Sequence, residues 1–343
     1  MFDELKFVGN RKQLFHVREV QLVEGKSNNV RVIEVNNNSG LYFEVNVDRG
    51  FDIPILRYNG VNIGYLAACD NSSPKYFDDK GLGFVKNFTV GFLTTCGLKS
   101  IGSPSTFNNK EYGLHGTYSN TPADHYYYNF QEDEKGSFVE LNASVYDAAL
   151  FEDKLKLERK IKCYYKSNRI IIDDTVTNES FNDAMHNILY HMNIGYPLLS
   201  PDSKMYLNSD KVTPRTKRAE DLIDVYNIIE EPQNVSEETC YYHQLHKTKN
   251  NKAVVGVFNP KLKMGVAIII DCENLDNFVE WKSMQKRDYV LGLEPSNNLI
   301  DGLNDLKEKD LLKYLKPGEK VKYHLEVQII EDYSEFETIF NQE

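Results

Sequence analysis

The dipeptide Asn59-Gly60 sits between two runs of β-type residues, 53–58 and 61–66. A two-residue hairpin turn needs positive φ at both central positions, which Asn and Gly tolerate best, so this is the clearest hairpin signal in the chain. The same grammar recurs. Runs at 29–35, 41–47, 138–146, 154–165, 169–178, 184–195, 253–258, 265–271 and 321–330 are separated by turn clusters such as Asn36-Asn37-Asn38-Ser39-Gly40. Within 154–165, Leu155, Leu157, Ile161 and Cys163 largely alternate with charged residues, the pattern of a strand with one buried face. Helical signals are confined to a turn or two within 301–315, ahead of Pro317-Gly318, and to 331–341. Short strands joined by polar turns predict an all-β protein, a large antiparallel β-sandwich in which residues 1–343 form one domain.

Composition narrows the function. A net charge of -11 argues against a nucleic-acid partner, because phosphate backbones are held by Lys and Arg. The five cysteines, Cys69, Cys96, Cys163, Cys240 and Cys272, are odd in number and dispersed, with no Cys-x-x-Cys. Neither a disulfide framework nor a thiolate zinc site is implied. The start, Met1-Phe2-Asp3-Glu4-Leu5-Lys6, has no apolar signal region, and no run is long enough to span a bilayer. The expectation is a reduced cytoplasmic protein with no membrane partner, a monomer or homodimer. Gly-x-Gly-x-x-Gly, phosphate-loop and Gly-x-Ser-x-Gly elements are absent from the sequence, so no cofactor is expected.

Four segments combine polar chemistry with Gly or Pro. The run Tyr289 to Asn297 places Val290, Gly292 and Glu294 on one strand face and Tyr289, Leu291 and Leu293 on the other. Glu294 then stands over a bare floor, as a general base needs, with Pro295 ending the ladder. It is preceded by Glu280-Trp281-Lys282, whose Trp is the only one in the chain and a natural platform for a sugar's C–H face. In 187–193, Asn187, Leu189, His191 and Asn193 share a face more polar than a core requires, and a hydroxylated ligand would satisfy it. Asp48-Arg49-Gly50-Phe51-Asp52 offers a guanidinium fork, either to a ligand or to a structural ion pair. Leu114-His115-Gly116 presents an accessible ring nitrogen. His243 and His246 lack a third ligand, so they read as a solvated loop, and no metal site is expected.

Taken in order, these segments resemble the galactose mutarotase (aldose 1-epimerase) superfamily, and more closely its bacterial aldose 1-epimerase-like branch. The resemblance rests on Asp48-Arg49-Gly50-Phe51-Asp52-Ile53, 81–84, 91–97, Leu114-His115-Gly116, Ser119-Asn120-Thr121-Pro122, His191-Met192-Asn193 and Leu293-Glu294-Pro295. It implies a sandwich with a small carbohydrate bound in an open cleft, and interconversion of the anomers of a free sugar by ring opening. By this resemblance Glu294 is the catalytic base and His191 the catalytic acid. His115 and Arg49 bind the sugar. Asn193, Trp281 and Lys282, read from their own segments, are the further substrate-binding candidates. Two features depart from the pattern: His191-Met192-Asn193 replaces a His-Pro-Tyr element, and no residue matches the Asp that holds sugar hydroxyls. A non-catalytic sugar-binding or sensing protein on the same fold is the alternative. An epimerase for phosphorylated or acidic sugars is another, for which Arg49, Lys282 and Arg287 leave room. The rate is expected to follow a bell in pH, with Glu294 on the acidic limb and His191 on the basic limb.

Overall fold

The computed structural model describes residues 2–235 and 237–343. It is about 47% strand and 12% helix, an all-β protein. Three antiparallel sheets carry it. The largest has eight strands in the order Asp124–Asp133, Gly136–Ala148, Lys154–Tyr164, Arg169–Asn178, Lys320–Ile330, Met264–Asp271, Lys252–Asn259 and Lys204–Leu207. A six-stranded sheet runs Ser209–Pro214, Thr239–Leu245, Asn277–Gln285, Asp288–Ser296, Asn187–Ile194 and Leu93–Leu98. A five-stranded sheet holds His16–Gln21, Arg31–Asn36, Leu41–Asn46, Leu56–Tyr58 and Val61–Asn62. The Asn59-Gly60 hairpin forms as expected: Tyr58 pairs with Val61, and both turn residues have positive φ.

One apolar cluster from Phe15 to Ile329 joins the inward faces of these sheets. Leu155, Leu157, Ile161 and Cys163 all enter it. The inward position between them is Arg159, fully buried. Its guanidinium lies 2.7 Å from Asp174 and 2.6 Å from Asp52, and donates to Thr95 Oγ1 at 2.8 Å. Tyr190 donates to Asp174 as well. A buried cation of this kind persists only when its donors and charge are matched, as here. The network ties the eight-stranded sheet (Arg159, Asp174) to the six-stranded one (Thr95, Tyr190) through the Asp52 turn.

Several expected elements change. The segment 61–66 divides into Val61–Asn62 and Tyr65–Leu66, because Gly64 lies so close to the Phe92 backbone that a Cβ would stand 3.0 Å from it. Pro295 does not end its strand, which continues to Ser296. His243 lies not in a solvated loop but buried on Thr239–Leu245, its Nε2 3.1 Å from Glu280. The expected helical turns form at Leu303–Glu308 and Glu335–Gln342.

Candidate active site

The strand Asn187–Ile194 fixes the site through simple alternation. Ile188, Tyr190, Met192 and Ile194 point into the main core. Leu189, His191 and Asn193 point to the other face of the sheet, where Leu189 joins a small floor of Cys96, Ile101, Cys240, Val279 and Ile300. On the neighbouring strand Leu291 and Leu293 face the core, so Glu294 falls on the His191 side. Register brings Asn193, Gly292 and Trp281 abreast on three adjacent strands. Gly292 therefore clears space for the neighbouring side chains themselves. A Cβ there would lie 2.4 Å from Glu294 Oε1 and 3.2 Å from both His191 and Trp281. The bare floor anticipated from sequence is occupied by the Glu294 carboxyl.

His191 Nε2 stands 3.1 Å from Glu294 Oε1, and both side chains are almost wholly buried. The approach lies off the hydrogen-bonding direction, and Glu294 Oε1 has no hydrogen-bond partner among the described residues. On the far side of the ring, His191 Nδ1 is 2.6 Å from Asn193 Oδ1. Asn193 Nδ2 donates to the Val90 and His191 carbonyls, which turns Oδ1 toward the imidazole. Asn193 Oδ1 can only accept, so Nδ1 carries the proton and Nε2 presents its lone pair to Glu294. Burial pushes the Glu294 carboxyl well above the carboxylate range, with Glu238 adding to the rise. Burial likewise pushes His191 well below the usual imidazole value. Burial thus favours the uncharged form of both groups, Glu294 as the carboxylic acid and His191 as the Nδ1–H imidazole.

Three rings enclose His191: Phe88 and Trp281 with centroids at 5.3 Å, and His115 at 5.5 Å. His115 adopts φ 60° and Gly116 φ 72° in a tight turn, where a Cβ on Gly116 would strike the Gly97 carbonyl oxygen at 2.5 Å. Burial, reinforced by Arg215, brings His115 down to about 4, so it is neutral too. These groups line a cavity of about 380 Å³ that also receives Arg215, Glu238 and Cys240. Arg215 spends Nε on Asp301 and Nη2 on Ser103 and the Ile300 carbonyl. Glu238 takes the Trp281 indole N–H at 2.7 Å.

The structure thus brings together His115, His191, Trp281 and Glu294. Asn193 lies behind His191 and does not line the cavity; it orients the ring. Arg49 is elsewhere. Its guanidinium is buried, donates to the Ser72 carbonyl at 2.7 Å, and is brought by burial down to about 10. Its motif is structural, since Asp48 pairs with Arg31 and Asp52 with Arg159. Lys282 also faces away. Strand alternation puts it on the side opposite Trp281, where it pairs with Glu230 at 3.0 Å and donates to the Tyr226 and Ile228 carbonyls. Arg215 and Glu238 escaped sequence reading. Each lies just outside a strand, in segments whose composition is that of any polar loop.

Among solved structures, a candidate aldose 1-epimerase from Klebsiella pneumoniae superposes with a TM-score of 0.90 at 20% identity, over 96% of this chain and 88% of that one. A galactose mutarotase-like protein from Clostridium acetobutylicum gives 0.67 at 14% identity, over 93% and 100%. A galactose 1-epimerase from Lactobacillus acidophilus gives 0.60 at 14% identity, over 93% and 100%. The architecture is thus that of the galactose mutarotase-like proteins. Within it, the chain belongs to the family described as a domain of unknown function, DUF4432, whose model matches residues 27–329. No curated protein matches it.

Proposed function

We propose that this protein is a carbohydrate mutarotase that interconverts the anomers of a free sugar. The observation that carries the reading is the buried His191–Glu294 pair, 3.1 Å apart on the wall of a sugar-sized cavity. Turning the Glu294 carboxyl into line with Nε2 and passing its proton there gives a carboxylate and an imidazolium. Glu294 then takes the proton of the anomeric hydroxyl, the bond between C1 and the ring oxygen breaks, and His191 gives its proton to that oxygen. The product is the open-chain aldehyde, with Glu294 again protonated and His191 neutral, the resting charge state. Rotation about C1–C2 and the reverse steps close the other anomer. Trp281 supports the C–H face of the ring. His115, Arg215 and Glu238 meet the hydroxyls, and Glu238 fills the acidic role for which the sequence offered no match. A low-dielectric site strengthens each of these contacts. The chemistry consists of proton transfers between side chains and substrate.

The test is anomeric-exchange NMR over a panel of free aldoses, ketoses and uronates, with the wild type and with Glu294→Gln and His191→Asn. Accelerated exchange of at least one sugar, lost in both variants, is expected. Exchange at wild-type rates in both variants refutes the acid–base assignment. Binding of a sugar with no acceleration would make the protein a sugar-binding module.

A further inference from the structure

One wall of the cavity carries no polar side chain. It is built by a single segment in which Leu82, Val85 and Phe88 follow one another at intervals of three across the 3₁₀ turn Gly83–Lys86. At that spacing Leu82 and Val85 stand in line across the turn, and Phe88 follows just beyond its C-cap, Asn87. Leu82 is 64% exposed and Val85 57% exposed, although both border the cavity. The polar residues of the segment are turned elsewhere: Lys86 pairs with Asp78 at 2.7 Å, and Asn87 donates to Asn120 at 3.0 Å. The polar side chains left for sugar hydroxyls, His115, Arg215 and Glu238, belong to other elements.

The row is tied to the chemistry through Phe88, which packs edge-on against His191. This step rests on the mutarotase reading. If His191 protonates the ring oxygen, the carbon next to that oxygen, C5, lies near His191, which brings its substituent within reach of the wall that Phe88 and Val85 build. A hydroxymethyl group there would find no hydrogen-bond partner on that wall, whereas a methyl group would cover exposed apolar surface at a gain. We infer that the Leu82–Val85–Phe88 row selects free sugars that carry a methyl group at C5, the 6-deoxy aldoses, over their hydroxymethyl counterparts.

The experiment compares matched pairs that differ only at C6: D-fucose with D-galactose, D-quinovose with D-glucose, and L-rhamnose with L-mannose. In at least one pair, kcat/KM should favour the 6-deoxy sugar by about 10-fold or more, the range set by small apolar groups in an apolar pocket. Leu82→Ser combined with Val85→Thr should bring that ratio to within about 3-fold. Both positions are solvent-exposed, so the variant should melt with the wild type. A wild type that favours the hydroxymethyl sugars, or a double variant that loses both members of a pair equally, overturns the inference and leaves the mutarotase reading intact. If no sugar is turned over, that reading fails, and calorimetric affinities for the same pairs decide: tighter binding of a 6-deoxy sugar sustains the inference, and equal or absent binding overturns it.

Discussion

Glu294→Gln should make the protein more stable and much less active. Glu294 is 1% exposed, and its Oε1 has no hydrogen-bond partner among the described residues. At pH 7 the wild type must take up a proton to bury that carboxyl, at a cost of about 1.4 kcal/mol for each unit by which its value is raised. A glutamine of the same shape is uncharged in both the folded and the unfolded chain and avoids that cost. The carboxyl's folded value is raised, so its contribution to stability is fully present below about 4.5 and is lost as pH rises toward the raised value. The gain from Gln should therefore be clear at pH 7 and shrink toward pH 4.5. Turnover should fall by about 10²-fold or more, since the amide cannot take the anomeric proton. Urea denaturation at the two pH values and anomeric exchange on the same samples read both effects. Stability that falls at pH 7 would refute the assignment of Glu294 as a buried carboxyl held protonated, and retained turnover would refute its role as base.

Three further outcomes are expected. The rate should follow a bell in pH, but with the limbs exchanged relative to the sequence expectation. Burial depresses His191 and raises Glu294, so a second proton on His191 sets the acidic limb and loss of the Glu294 proton sets the basic one; the pH profile of kcat/KM checks this. Asn193→Leu removes the acceptor that fixes the Nδ1–H tautomer, and should cut turnover by about 10-fold while changing KM little, with the His191 ring nitrogen shifts in NMR moving in step. Arg159→Ala leaves Asp52 and Asp174 buried without their cation and should destabilise by about 3–5 kcal/mol in urea titration, although it lies outside the site.

The sequence by itself determined the strand grammar and the faces. Period-two alternation is a local property, so the segregation of Leu291 and Leu293 from Glu294, and of Tyr190 and Met192 from His191, was readable without coordinates. Motif order carried His115, His191 and Glu294 to one place, and residue type alone marked Trp281 as a platform beside them. What the alternation could not tell was which side of a face is solvent, core or cavity. Arg49 and Lys282 read as ligand donors because their types and settings allow it, yet tertiary packing gave each an internal carbonyl or carboxylate partner. Gly292 read as room for a ligand, and register filled that room with Glu294, His191 and Trp281. Only the fold could bring Arg215 and Glu238 to the cavity, because their neighbours there come from distant segments. Only burial could set the charge of the central pair: a carboxyl and an imidazole that would ionise in water are held neutral by the low-dielectric wall that Phe88, Trp281 and His115 build around them.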